Sequence, residues 1–256
     1  MPKIKLTHKN YFTKQNKYLS NSKIGDYLRD PYFFYRKHIV HKVDYMVTDP
    51  MIIGSAVDCI LTESLYLFKK RYMTVSRRTK DETYEYQLTE SMYNTVMNIA
   101  EAVKRTTAYK DLKKAKYKRQ VLLKHDMPLG SFKGMCGMLD FLKIDGDAAH
   151  IVDLKTAVDA SPHKYAYKCE DFGYFRQMAM YSMLVMYNYP EVKHVSCSHL
   201  VVEKDPDEIY NCRTFFFDDI RIQSEIFKLG ELIKEISEVK EWKRSDISWS
   251  DAEILT

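Results

Sequence analysis

The chain has 256 residues, 45% apolar and 29% charged, with a formal net charge of +5. That balance supplies a sizeable core and excludes extensive disorder. Five dispersed cysteines without a CxxC pair exclude a disulfide scaffold, and no apolar run reaches the length of a membrane span. The opening MPKIKLTHKN lacks the apolar stretch of a secretory signal, so the expected setting is cytoplasmic.

Residues 1–18 are polar and read as a flexible N-terminus. From Ser20 the pattern turns helical, with Ser20 or Ser22 as N-cap and Ile24, Tyr27, Leu28 and Tyr32 on one face. Met51 to Glu63 reads as a second helix, with Ile53, Val57, Ile60 and Leu61 as its apolar stripe. A long polar helix is expected over roughly Asp81 to Arg105. Lys and Arg concentrate between Lys104 and Lys124. A polyanion such as DNA and a solvated helix face followed by a strand explain that run equally well.

The texture then changes. Gln120 to Lys124, Phe132 to Ile144 and His150 to Lys155 read as successive strands, the last two joined at Asp145-Gly146-Asp147. Glu170 to Tyr187 reads as a helix, and Val195–Glu203 with Tyr210–Phe217 as a hairpin around Asp205-Pro206-Asp207. Ile222, Ile226, Leu229, Ile233 and Ile236 mark a final amphipathic helix. The expected class is α/β (α+β), a mixed central sheet flanked by helices. One domain is expected over 19–256, helical over 19–115 and carrying the sheet over 116–256.

Strand alternation puts Ile151, Asp153 and Lys155 on one face and Val152 and Leu154 on the other. A lysine two residues from a carboxylate is often no more than a surface salt bridge. It also suits a site where the carboxylate holds a divalent ion and the lysine polarises a water. Asp140 sharpens the choice, because it lies among Met138, Leu139, Phe141 and Leu142, where a lone carboxylate needs a partner. Hairpin pairing brings Asp140 near Asp153, and a divalent cation relieves their repulsion. Oxygen ligands favour Mg2+ or Mn2+.

Asp140 followed by Asp153-Leu154-Lys155 resembles the PD-(D/E)xK nuclease signature. Gln177 and Tyr181, one turn apart in YFRQMAMYSMLV, are similar to the motif after the catalytic strand in the RecB-like branch. GSAVDCILTE and SNSKIGDYLRDPYFFYRKHI resemble early helices of RecE-type (exodeoxyribonuclease VIII) and lambda-type exonucleases. The resemblance implies a restriction-endonuclease-like core with a helical N-terminal elaboration. It implies an Mg2+-dependent (or Mn2+-dependent) DNA exonuclease of recombination or phage-type DNA processing, acting on linear double-stranded DNA. A homo-oligomeric ring and a single-strand annealing protein are partners of that branch. A restriction or structure-specific endonuclease on the same core, or a catalytically silent DNA-binding or assembly protein, are the alternatives.

By the same resemblance, Asp140, Asp153 and the Leu154 carbonyl bind metal, and Lys155 polarises water. Gln177 and Tyr181 hold phosphate or buttress Lys155; ordinary core packing is the other reading of Tyr181. Two positions depart from the pattern. Gln120 stands near the position of a frequent Glu, where its carbonyl accepts a hydrogen bond or weakly ligates the metal without adding charge, and Asp58 stands where a His is usual. Asp58 either restores the missing charge as a ligand or makes a local cap or salt bridge. His150 reads as structural. Nothing after Cys212 supplies an iron–sulfur set and there is no GxxxxGK[ST] loop, so neither a cluster nor a nucleotide is expected.

Overall fold

The computed structural model describes residues 6–7, 10–11, 13, 16–43, 47–77, 86–204 and 210–242. Its first half is helical: α1 (Asn21–Arg29), α2 (Pro31–Phe34) running into a π-helical turn (Tyr35–Ile39), α3 (Asp49–Thr62) and α4 (Leu65–Arg71). Short strands β1 (Tyr72–Val75) and β2 (Tyr86–Thr89) pair in parallel before α5 (Glu90–Arg105) and α6 (Thr107–Lys114). Then come β3 (Lys118–Leu129), β4 (Phe132–Asp145), β5 (Ala148–Ala157), α7 (Pro162–Asp171) and α8 (Tyr174–Asn188). The chain closes with β6 (His194–Glu203), β7 (Cys212–Phe216) and α9 (Asp219–Glu238). Among the described residues no helix is long and apolar enough to cross a membrane.

Strands β3 to β7 lie side by side in chain order, all neighbours antiparallel except β5 and β6. The parallel step needs a crossover, which α7 and α8 supply. Leu123, Met135, Leu139 and Ile151 pack with Met178 and Leu184 of α8 and with Leu229 and Ile233 of α9. Phe141, Val152, Leu200 and Val202 turn to the other face, against Val57 and Leu61 of α3 and Val96 and Ile99 of α5. Each such side chain contributes about 1.5–3 kcal/mol on burial, so these two layers, more than helix propensity, hold α3 and α8 on the sheet. The chain thus forms the α+β architecture expected of it, a mixed sheet between helical layers.

Several local expectations shift. The helix expected from 81 begins at Glu90, because Tyr86–Thr89 is drawn into β2, where Tyr86 stacks on Tyr72 with ring centroids 5.5 Å apart. Residues 81–85 lie outside the described ones, as does the turn Asp205-Pro206-Asp207. The single helix expected over 170–187 is two, broken at Gly173, whose φ of 62° belongs to the left-handed region that stops a helix. Leu28 is exposed, since the nine-residue α1 buries Lys23, Ile24 and Tyr27 instead.

The segment expected to be flexible is tied down at its end. Lys133 N–H donates to Lys17 O (2.9 Å), Leu19 N–H to Gly134 O (2.8 Å) and Cys136 N–H to Leu19 O (2.9 Å). This strap runs along the first half of β4, which β5 leaves bare because β4–β5 pairing starts only at Phe141 opposite Val152. Between strap and β5, the edge of β4 has a gap at Met138 and Asp140. The ladder to β3 breaks there too. Arg119 pairs with Phe141 and Val121 with Leu139, but Gln120, opposite Asp140, takes a φ of 47°. A non-glycine residue in that region costs about 1–2 kcal/mol. Alternation slips as a result, so Leu139 and Leu142 face the same core.

Gly137 lets α8 approach this stretch. A Cβ there would lie 2.7 Å from Tyr181 Cε1 and 3.0 Å from Leu184 Cδ1. Gly137→Ala is therefore expected to lower the urea unfolding midpoint, by about 1–3 kcal/mol in stability, as overpacked cores do.

Candidate active site

The gap in β4 is where polar side chains converge. Asp140 Oδ2 accepts the Leu154 N–H at 2.8 Å, taking the place of a backbone partner where β4 and β5 part. On β5, Val152 and Leu154 pack toward α3 and α5, so Asp153 and Lys155 face α8. Asp153 is buried; its Oδ2 pairs with Lys155 Nζ, and its Oδ1 accepts from Gln177 Nε2 at 3.2 Å. The Gln177 amide also donates to the Tyr181 hydroxyl (2.9 Å), which donates to Met138 O (2.8 Å). Gln177 and Tyr181 therefore brace Asp153 and β4, and their hydrogen bonds go to Asp153 and Met138 rather than to Lys155. Lys155 Nζ instead lies 4.8 Å from the ring centroid of Tyr174.

A third carboxylate comes from α3. Gln120 Nε2 donates to Asp58 Oδ2 at 2.9 Å and to Thr62 Oγ1 at 2.8 Å, and lies 3.5 Å from Asp140 Oδ1. The left-handed turn at Gln120 aims its amide into this bridge between α3 and β4. His150 is tied to the Tyr117 hydroxyl at 2.6 Å and Ser198 Oγ at 3.0 Å, a structural pairing.

Three carboxylates thus face one ammonium. Burial, then Asp153 and Glu63, push the Asp58 carboxyl up to about 7, against the pull of Gln120 and Lys155. Burial, then Asp58 and Asp153, raise Asp140 well above the carboxylate range. Burial pulls the Lys155 ammonium down, but Asp153, then Tyr174 and Asp140, outweigh it and raise the group overall.

The donor set fits a hard divalent cation. Asp58 Oδ1 is buried and makes no hydrogen bond among the described residues, and the buried Asp153 Oδ2 has only the Lys155 ammonium against it. They are oxygens in surplus negative charge, as Mg2+ and Mn2+ prefer. They are not drawn up as a finished cage: among the described residues no three His, Cys, Asp or Glu side chains converge as a ligand cluster. The Lys155 ammonium and the Gln120 amide occupy the carboxylates' partner positions instead.

Two residues near the site had not been singled out. His199, fully buried on β6, sits in register with Asp153. Its only sequence signal is a histidine inside the apolar run of HVSCSHLVVE. Tyr11 comes from the polar N-terminal segment, which carries no such signal. Its phenol, raised by burial and then by Cys136, meets the Met138 backbone and lies in the field of Asp140 and Asp153.

These shifts fix a pH dependence for the metal-free protein. Asp58 and Asp140 hold protons more tightly folded than unfolded, so their contribution to stability is greatest at low pH and is lost as pH rises, for Asp58 between about 4 and about 7. Urea titrations in a chelator across that window should show the decline. Asp58→Asn should shallow it and raise neutral-pH stability by roughly 1–2 kcal/mol. A flat profile would mean that the carboxylates carry no unrelieved repulsion.

A family profile described as a PDDEXK-like domain of unknown function (DUF3799) matches residues 35–254, which hold every residue of the site except Tyr11. A solved structure from Eubacterium rectale, described as a candidate exonuclease, has a TM-score of 0.67 over 96% of this chain and 91% of its own. At 15% identity that likeness shows a shared fold. A second structure, SSO0001, reaches a TM-score of 0.29 at 12% identity, covering 56% of this chain and 67% of its own, and carries no argument. No curated protein matches the chain. The matches do not single out the RecE-type branch. The chain belongs to the PDDEXK-like DUF3799 family, within the PD-(D/E)xK superfamily that Asp140, Asp153 and Lys155 pointed to.

Proposed function

We propose that the chain is a divalent-cation-dependent deoxyribonuclease working as an exonuclease on linear double-stranded DNA. The observation that carries this reading is the gathering of Asp58, Asp140, Asp153 and Lys155 where β4 and β5 part, with the carboxylates short of positive charge. Asp58, Asp140 and Asp153, with the Leu154 carbonyl, would hold the cation. Bound there, it supplies Lewis-acid charge to the phosphodiester and lowers the pKa of a water. Gln177 fixes Asp153 through Oδ1, and Tyr181 fixes Gln177 against β4. Lys155, kept charged by Asp153, presents a donor to the attacking water or the phosphate. Exposed Arg105, Lys110, Lys113, Lys114 and Arg119 offer cations to a DNA backbone.

The exonuclease mode rests on the resemblance to RecE-type and lambda-type enzymes and on the candidate exonuclease that shares the fold. A role in recombination, a ring and an annealing partner belong to the same reading. Purified protein given linear, closed circular and single-stranded DNA with Mg2+ or Mn2+ tests it. Progressive loss of linear DNA with circles intact is expected. Asp153→Asn and Lys155→Ala should each slow cleavage by about 10²–10⁴-fold. Cut circles would mean an endonuclease, and DNA binding without cleavage under either metal would mean a silent DNA-binding protein.

A further inference from the structure

We propose that His199 is a positioning residue for Asp153: anchored by Tyr165, it presents an Nε2–H to Asp153 Oδ2 and takes over that oxygen when Lys155 turns to substrate. The catalytic consequence rests on the nuclease reading; the hydrogen bond does not.

Strands β5 and β6 run parallel with Asp153 level with His199, so the two side chains emerge on the same face. His199 is fully buried, and its ring is packed among aromatic neighbours. Tyr165, Tyr174 and Phe217 meet it edge-on, with centroids at 6.1, 5.2 and 4.6 Å. Nδ1 lies 2.6 Å from the Tyr165 hydroxyl. That phenol is itself buried and has one proton to give. Donated to Nδ1, it leaves the ring hydrogen on Nε2, which points at Asp153. The reverse arrangement would strand the phenol proton and set an Nε2 lone pair against a carboxylate oxygen.

Nε2 is buried and makes no hydrogen bond among the described residues, and it lies 3.9 Å from the buried Asp153 Oδ2, whose partner is Lys155. That is too long for a direct bond, but a shift of about 1 Å or one bridging water closes it. Oδ2 has Lys155 as its ion-pair partner. Lys155 and His199 therefore share one oxygen. A lysine that reaches for a phosphate would leave Oδ2 one hydrogen-bond donor short in a buried place, which is costly even with a cation on its other lone pair. The imidazole is the donor already aimed at it. Outer hydrogen bonds of this kind orient carboxylates that bind metals.

Two measurements test this on the full chain. The first is long-range 1H–15N NMR of the imidazoles, with the His199 signals identified by their loss in His199→Gln. The Nε2–H tautomer is expected, and it should persist when Mg2+ is added. An Nδ1–H tautomer, or conversion to one with Mg2+, would overturn the proposal and make Nε2 an acceptor or a ligand. The second is cleavage kinetics. His199→Leu should lower kcat by about 10–100-fold with KM for DNA within about twofold, and His199→Gln, which keeps a donor, should recover most of it. Tyr165→Phe keeps the packing and should lower kcat in the same direction, which covers the case of a Leu variant that does not fold. Wild-type kcat in Tyr165→Phe and His199→Leu alike would refute the positioning role. If the wild-type chain cleaves nothing, the nuclease reading fails, while the tautomer still decides the hydrogen bond.

Discussion

Mutual repulsion among Asp58, Asp140 and Asp153 is the constraint around which this molecule is arranged. Two like charges about 4 Å apart in a protein setting repel by roughly 4 kcal/mol, and here three carboxylates share a single ammonium. The chain answers with neutral donors as well as charge. The Gln120 amide reaches Asp58, the Leu154 N–H reaches Asp140 and the Gln177 amide reaches Asp153. These donors soften the repulsion without cancelling it, so that burial first, and then the neighbouring carboxylates, raise Asp58 and Asp140 above the ordinary carboxylate range. A divalent cation would cancel it.

The backbone is shaped to the same end. Strand β4 loses β5 at Asp140, its ladder to β3 breaks opposite Gln120, and the strap at 17–19 stops short of Met138. Each interruption frees backbone or re-aims a side chain at one place. The Tyr181 hydroxyl satisfies the Met138 carbonyl that the interruption exposes. The left-handed Gln120 is strained in isolation and is held by the two short hydrogen bonds its amide gains on α3.

Much of this was legible in the residues, and the limits follow from physics. Period-two alternation on β5 and the tight Asp145-Gly146-Asp147 turn are local, and they were enough to set Asp153 and Lys155 on one face near Asp140. The one-turn spacing of Gln177 and Tyr181 is local too, and it placed them together on α8. Their target was not legible, because reaching Asp153 depends on how closely α8 approaches Gly137. The Asp58–Gln120 contact joins α3 to β3 across a long stretch of chain, and neither residue announces the other. His199 looks like any histidine in a buried strand until β6 is set beside β5. Strands of four residues such as β1 and β2 carry too little periodicity to separate from the helix that follows.

The central claim is that the carboxylates retain protons for want of a cation. Calorimetric Mn2+ titration near pH 6.5, run in two buffers of different ionisation enthalpy, measures the protons released on binding. Saturable binding with release of about one proton per chain, reduced in Asp58→Asn, is the predicted result. Binding without proton release, or no binding at all, would contradict it.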